Sequence, residues 1–480
     1  MGLYSLAHVA AQRGTRVVLW AAAVVVPLLL IAGVAVAGVS LWERGELNRF
    51  ICDGGCGPSN VVAPQGLAVS STPDVAVPPE DDPGAVDTAK VAAAVAPALT
   101  DPALGTRVGF AAVGTSGVPA VSGGDQAYAP ASTTKVLTGF AALATIAPDT
   151  RFATRVVRSD EGVVLVGGGD PYLSTKPARR ADDRVFQADL TTLAKRTAVS
   201  LTTSGTTTVQ VGFDASLFSG PDASPAWEDS YVTANIVTPV SALWVDQGVT
   251  DGIRARDPAL DAARTFATLL AAEGITVTGD PSTVEAPAGA EELGRVRSAT
   301  ISQIVETLVR VSDNEAAEIV LRHIAIAGGR PGSFDGGADA VQAALVAAGI
   351  DVEGLVLGDG SGLSRANRIT PVTLVETLRA ALATPRTSGL MADLPVSGFT
   401  GTLVDRFDQL SDARGTVRAK TGTLTGIHSL AGYAIDADGR PVLFAVMADR
   451  TDRNQPLQAQ AALDRAAAAI ATTYAGSVAP

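Results

Sequence analysis

From Val17 to Trp42 the chain carries no charged residue, reading VVLWAAAVVVPLLLIAGVAVAGVSLW. The run exceeds the roughly 20 apolar residues that cross a bilayer as a helix. Whatever follows it therefore folds on the far side of a membrane. Arg13 and Arg16 precede the run, while Glu43, Arg44 and Glu46 follow it. The positive-inside bias places residues 1–16 in the cytoplasm and everything after Trp42 outside. The length favours an uncleaved transmembrane anchor over residues 17–42, with Trp20 and Trp42 near its interfaces. The alternative is a cleaved signal peptide, for which Ala35-Val36-Ala37 offers a site.

The exported part is long enough for more than one domain. The whole chain has 480 residues, 47% of them hydrophobic. Its net charge of −13 comes with no block of basic residues, which argues against nucleic acid as a partner. Only two cysteines occur, Cys52 and Cys56, in FICDGGCGPS. Outside the cell they can close a small disulfide loop; unpaired or intermolecular thiols are the alternative. No nearby histidine or third cysteine completes a metal site, and no cofactor is expected. Residues 57–86 are rich in Pro, Gly, Ser and acidic side chains. Residues 43–86 thus read as a juxtamembrane Cys loop and a linker.

The globular part begins near Asp87. VDTAKVAAAVAPAL predicts a helix, RVGFAAVG a strand, and PASTTKVLTGFAALATI a second helix with Pro130 near its start. A middle region of mixed strand and helix signals follows, then a helical block from about Thr300. GTVRAKTG, IHSLAGYAI and PVLFAVMAD predict strands, the last two joined at Asp438-Gly439, and a terminal helix closes the chain. This order predicts an α+β protein: an α/β sandwich whose antiparallel sheet unites the two ends of the chain. Residues 87–160 and 295–480 form this body, and 161–294 are inserted into it.

Lysine usage points to the chemistry. Only five of the 36 basic Lys and Arg residues are lysines, and one is Lys135, three residues after Ser132. A lysine amine can shed its proton when desolvated, which arginine cannot. Ser132 and Lys135 share one helix face, with Ser132 in the first turn where free N–H groups favour a developing anion. Two further stretches follow in order: Ser312-Asp313-Asn314, between two helices, and Lys420-Thr421-Gly422-Thr423, on a strand. An acyl-transfer site needs a nucleophile, a base, an oxyanion hole and a grip on the substrate. Ser132 suits the attack and a neutral Lys135 the removal of its proton. Ser312 suits relay of that proton to a leaving amine, and Asn314 suits holding Lys135 and a substrate amide. Lys420, Thr421 and Thr423 offer a cation and hydroxyls to a terminal carboxylate. Gly422 clears room for substrate along the strand, and the N–H groups of Ser132 and Thr423 suit an oxyanion hole. A histidine triad is disfavoured. Only His8, His323 and His428 exist, with no Gly-x-Ser-x-Gly elbow.

Ser-x-x-Lys, Ser-Asp-Asn and Lys-Thr-Gly, in this order, resemble the signature set of penicillin-recognising serine enzymes. From Asp87 onward the chain resembles the D-alanyl-D-alanine carboxypeptidases among the class C, low-molecular-mass penicillin-binding proteins. The long interval between Lys135 and Ser312 is similar to their inserted domains, and LVGGGDPYLS and GDGSGLSRANRITP resemble stretches typical of them. In those two stretches Asp170, Asp359 and Arg365 are expected to fix loops by hydrogen bonds. The resemblance implies a transpeptidase-like fold. It also implies cleavage of peptidoglycan stem peptides ending in D-Ala-D-Ala through an acyl-Ser132, with D,D-endopeptidase activity also found in the family. β-Lactams would act as covalent inhibitors and the catalytic body would face the cell wall. A β-lactamase, or a non-catalytic anchored sensor on the same fold, are the alternatives.

Overall fold

The computed structural model describes residues 85–123, 126–177 and 185–473. The expected membrane segment, Cys52, Cys56 and nearly all of the linker lie outside these residues. Among the described residues no helix is long and apolar enough to cross a membrane.

Strands β1 (Val108–Val113) and β2 (Ala120–Ser122) come from the front of the chain. The middle supplies β3 (Arg151–Ser159), β4 (Gly162–Val166), β5 (Thr208–Asp214) and β6 (Glu292–Thr300). The end supplies β7 (Val417–Leu424), β8 (Ile427–Ile435) and β9 (Pro441–Ala448). The main helices are α1 (Thr88–Leu99), α2 (Thr134–Thr145), α3 (Leu190–Thr203), α4 (Pro258–Ala272), α5 (Ile301–Val311), α6 (Asn314–Ala327), α7 (Phe334–Ala347), α8 (Pro371–Leu382) and α9 (Pro456–Thr472).

One sheet runs β7-β8-β9-β1-β2 and is antiparallel throughout, so strands from both ends of the chain lie side by side. Its side chains alternate between two cores, as strand geometry requires. Phe110 and Ala112 of β1 join Val91 of α1 and Leu463 and Ile470 of α9. Ala111 and Val113 join Val136 and Phe140 of α2, Ile304 of α5 and Ile319 of α6. Burial on both faces explains why the central strands read as nearly continuous apolar runs. The mixed α+β organisation expected from the sequence is present, and β8 and β9 meet at a turn where Gly439 takes φ of 82°.

The second sheet runs β6-β3-β4-β5, with two short strands, Thr276–Val277 and Ser282–Thr283, beside β5. β4 and β5 are parallel, so the chain crosses over between them through α3. Leu193 of α3 and Phe266 of α4 cover Val163, Leu165 and Val211. β3 and β6 pair antiparallel, Arg155 opposite Arg295, so the chain leaves and rejoins the first body along adjacent strands. The sheet thus spans Arg151 to Thr300, beyond both ends of the 161–294 interval expected for the insertion. Alternation in FATRVV marks a strand; it says nothing of which sheet receives it.

Candidate active site

Ser132 sits in a single 3-10 turn, Ala131–Thr133, which runs directly into α2. The residue before it, Ala131, takes a left-handed φ of 48°. Such strain persists only where the surroundings impose it. They do so from two sides. Asp449 accepts the Ala129 N–H at 3.0 Å and pairs with Arg107, which donates to the Ala127 carbonyl at 2.6 Å. On the other side, the Pro130 carbonyl accepts from Thr133 Oγ1 at 2.8 Å and from Ser429 Oγ on β8 at 2.5 Å.

Lys135, on the first turn of α2, is completely buried. Its Nζ lies 3.1 Å from Ser132 Oγ, 2.7 Å from Asn314 Oδ1 and 2.7 Å from the Ser361 carbonyl. Burial pulls this amine down to about 8, against the opposing pull of the Glu318, Asp359, Asp313 and Glu315 carboxylates. The three contacts differ in kind. Asn314 Oδ1 and the Ser361 carbonyl can only accept, so they take two N–H bonds. Ser132 is a hydroxyl that can also donate. A neutral amine has two protons and one lone pair, and its lone pair then points at the Ser132 proton.

Ser312 ends α5 in the left-handed region, φ 63° and ψ 41°. Asp313 caps α6 by accepting the Ala316 N–H at 2.9 Å, and Asn314 is the first residue of that helix. The turn is held from the inserted region: Gln247 Nε2 donates to Asp313 Oδ2 at 2.8 Å, and Arg254 pairs with Glu315 at 2.7 Å.

Lys420 on β7 is also completely buried, and its Nζ donates to the Thr421 carbonyl at 2.8 Å. Burial, and then the nearby Lys135 and Arg406, push its pKa well below the ordinary lysine value. Thr421 Oγ1 donates to Thr402 Oγ1 at 2.9 Å, and Thr423 is exposed. Gly422 packs tightly against the turn that carries Ser132. A Cβ there would lie 2.1 Å from Ser429 Oγ, 2.4 Å from the Pro130 carbonyl and 3.1 Å from Thr133 N. Its missing side chain lets β7 close on the turn that carries Ser132.

A family model described as D-Ala-D-Ala carboxypeptidase 3 (S13) matches residues 91–252 and 247–470. The chain belongs to this S13 family. It is 38% identical to the carboxypeptidase Rv3627c of Mycobacterium tuberculosis over 393 residues, 79% of this chain and 84% of that protein. It is 34% identical to carboxypeptidase DacB of Mycolicibacterium smegmatis over 435 residues, 85% of this chain and 92% of the relative. The crystal structure of penicillin binding protein 4 (dacB) from Haemophilus influenzae superposes with a TM-score of 0.63 at 21% identity, covering 79% of this chain and 98% of that one. The same protein complexed with a β-lactam gives 0.57 over the same shares. The S13 carboxypeptidase assignment makes the chain a hydrolase of D-Ala-D-Ala peptides.

Within this S13 carboxypeptidase, Ser132, Lys135 and Asn314 are joined by direct hydrogen bonds, and Ser312 precedes Asn314 in the same turn. Arg365 bonds Glu228 at 2.8 Å and the Thr425 carbonyl at 3.0 Å. Asp359 accepts from the N–H groups of Gly362 and Ser364, from Trp227 Nε1 and from Asn367 Nδ2. Asp170 accepts the Tyr172 N–H at 2.9 Å, and burial raises its carboxyl to about 7. His428 is buried, its Nδ1 2.9 Å from Thr451 Oγ1, while His8 lies outside the described residues. His323 stacks on Phe152 with ring centres 3.5 Å apart and donates to the Gly169 carbonyl at 2.9 Å. Sequence reasoning passed over Ser361, Gln247, Asp449 and Glu318. Only Glu318 left a signal: an acid one turn after Asn314, between the apolar pairs Ala316-Ala317 and Ile319-Val320.

Proposed function

We propose that this protein is a serine D-Ala-D-Ala carboxypeptidase of peptidoglycan stem peptides, acting through an acyl-Ser132. The observation that carries the reading is the Lys135 amine, buried and 3.1 Å from Ser132 Oγ with two obligate acceptors on its other side. Neutral Lys135 takes the Ser132 proton as Oγ attacks the penultimate D-Ala carbonyl. The proton passes through Ser312 to the leaving amine, the C–N bond breaks and D-Ala departs. Water then attacks the ester, giving its proton to Lys135, and Ser132 leaves as the hydroxyl. The N–H groups of Ser132 and Thr423 serve as the oxyanion hole, and Asn314 orients Lys135 and the substrate amide.

Lys420 receives the terminal carboxylate, with Thr421 and Thr423 beside it. A buried ammonium bonded to one carbonyl is poorly compensated, and an incoming carboxylate supplies its counter-charge. β-Lactams offer the same carboxylate and a strained amide, and acylate Ser132. In this reading residues 17–42 anchor the enzyme in the membrane and 43–86 let the body reach the wall.

The test uses the chain without residues 1–42, a fluorescent penicillin and, separately, a peptide ending in D-Ala-D-Ala. The unmutated protein should acquire a lasting label and release D-Ala, and Ser132→Ala should do neither. Absence of both from the unmutated protein sinks the reading; rapid penicillin turnover without a lasting adduct replaces it with a β-lactamase.

A further inference from the structure

A strap of backbone, Asp359 to Gly362, lies between α2 and α6 behind Lys135. The Gly360 N–H donates to Glu318 Oε2 at 3.0 Å and the Ser361 N–H to Glu318 Oε1 at 2.8 Å. The Gly360 carbonyl accepts from Thr138 Oγ1 of α2 at 2.7 Å, and the Ser361 carbonyl accepts from Lys135 Nζ at 2.7 Å. The strap fits because its glycines have no side chains. A Cβ at Gly360 would lie 2.9 Å from the Ala317 carbonyl, and one at Gly362 only 1.9 Å from the Ala131 carbonyl. Glu318 is fully buried, and both its oxygens face N–H donors. Burial, and then Asp359, raise this carboxyl to about 7, while the two N–H donors and Arg322 pull it back, so the carboxylate is the form present where Lys135 titrates, about 8.

We infer that Glu318 is the positioning residue for Lys135: through the 360–361 backbone it fixes the amine, and its negative charge governs when that amine gives up its proton. The inference rests on the proposed role of Lys135 as base. The charged groups around Lys135 are few. Its own helix presents none; α6 and its cap present Glu318, Glu315 and Asp313, the strap presents Asp359, and β7 presents Lys420. Glu318 itself faces Asp359 and Arg322 as well as Lys135. Of the carboxylates, Glu318 has the largest influence on Lys135. Without it the amine would be buried with less compensation and would lose its proton at lower pH. It would then be free earlier in a titration, but a weaker base.

The experiment measures single-turnover acylation by a fluorescent penicillin from about pH 5.5 to 10. Glu318→Gln keeps the size and removes the charge. Its acid limb should move down by about one unit or more, with a lower plateau. Glu318→Asp keeps the charge but falls short of both N–H groups; its limb should stay near that of the wild type while the plateau falls several-fold. Thr138→Val frees the Gly360 carbonyl and should likewise slow acylation without moving the limb. A role in stability alone changes the amount of active protein and leaves the limb in place. A folded Glu318→Gln with the wild-type limb overturns the inference. If that variant does not fold, unchanged rates in Glu318→Asp and Thr138→Val overturn it instead. Should the wild type not react with penicillin, the functional reading fails first. The inference is then tested by NMR titration of the five lysines, where Glu318→Gln must lower the Lys135 midpoint.

Discussion

Gly422→Ala adds a single methyl group at the closest approach between β7 and the turn bearing Ser132. The new Cβ would stand 2.4 Å from the Pro130 carbonyl oxygen, about 1 Å inside ordinary van der Waals contact. It would also stand 2.1 Å from Ser429 Oγ, which already bonds that carbonyl at 2.5 Å. Ser429 cannot yield by rotating without giving up that bond, so β7 and the 130–133 turn must separate. Overpacking of this kind costs about 1–3 kcal/mol of stability. A shift of about 1 Å between catalytic groups costs on the order of a hundredfold in rate. Gly389→Ala is the control, since a Cβ there meets nothing within 4 Å. The assay is acylation by a fluorescent penicillin together with thermal melting. Gly422→Ala should melt several degrees lower and acylate about a hundredfold more slowly, with Gly389→Ala unchanged. A Gly422→Ala protein with wild-type melting and wild-type acylation would refute the view that this glycine exists to seat the turn.

Acylation by the wild type should rise about tenfold between pH 7 and 9, because Lys135 loses its proton through about 8. A flat profile over that range would remove Lys135 as the base. Lys420→Ala should raise KM for a D-Ala-D-Ala peptide by about ten- to a hundredfold, as expected for a lost charged hydrogen bond. It should leave a methyl-ester analogue nearly unaffected, and equal losses on both substrates would dismiss Lys420 as the carboxylate site. His323 is depressed from the ordinary 6.5 to about 4 by burial, so the unfolded chain binds a proton that the folded chain does not in that window. Stability should therefore fall by up to about 3 kcal/mol as pH drops from 6.5 to 4. In His323→Gln that part of the slope should vanish, which melting at several pH values would show.

The central sheet and its helices were legible because the two chain ends carry short apolar runs of strand length, bounded by turn residues, and clear helical periods. The motifs were legible because side-chain chemistry restricts them: a lysine amine can hold a charge or lose it, whereas arginine stays charged. The edges of the insertion were not legible, since β3 and β6 alternate as well as any strand of the first sheet. Nor was the purpose of Gly422. The sequence shows that a side chain is absent; only the positions of Pro130 and Ser429, which are distant in the chain, show what occupies the space. Glu318 was overlooked for a similar reason. Its partners are backbone N–H groups of residues 360 and 361, and backbone leaves no signature of its own. From the sequence, Lys420 is expected to offer a cation to a carboxylate. Its burial beside Lys135 makes that charge dependent on what binds.

The strand order β7-β8-β9-β1-β2 also sets a timetable. Val108 is opposite Ala448, so β1 lacks its β9 neighbour until the chain has been made as far as Ala448. The second sheet needs only residues between Arg151 and Thr300, and its pairings can form while the C-terminal strands are still being synthesised. Long-range pairing of this kind is slow to nucleate. The turn around Ser132 is fastened by Ser429 and Asp449, which arrive last. A growing chain therefore holds its nucleophile and base early but is an unarmed enzyme until its end is in place.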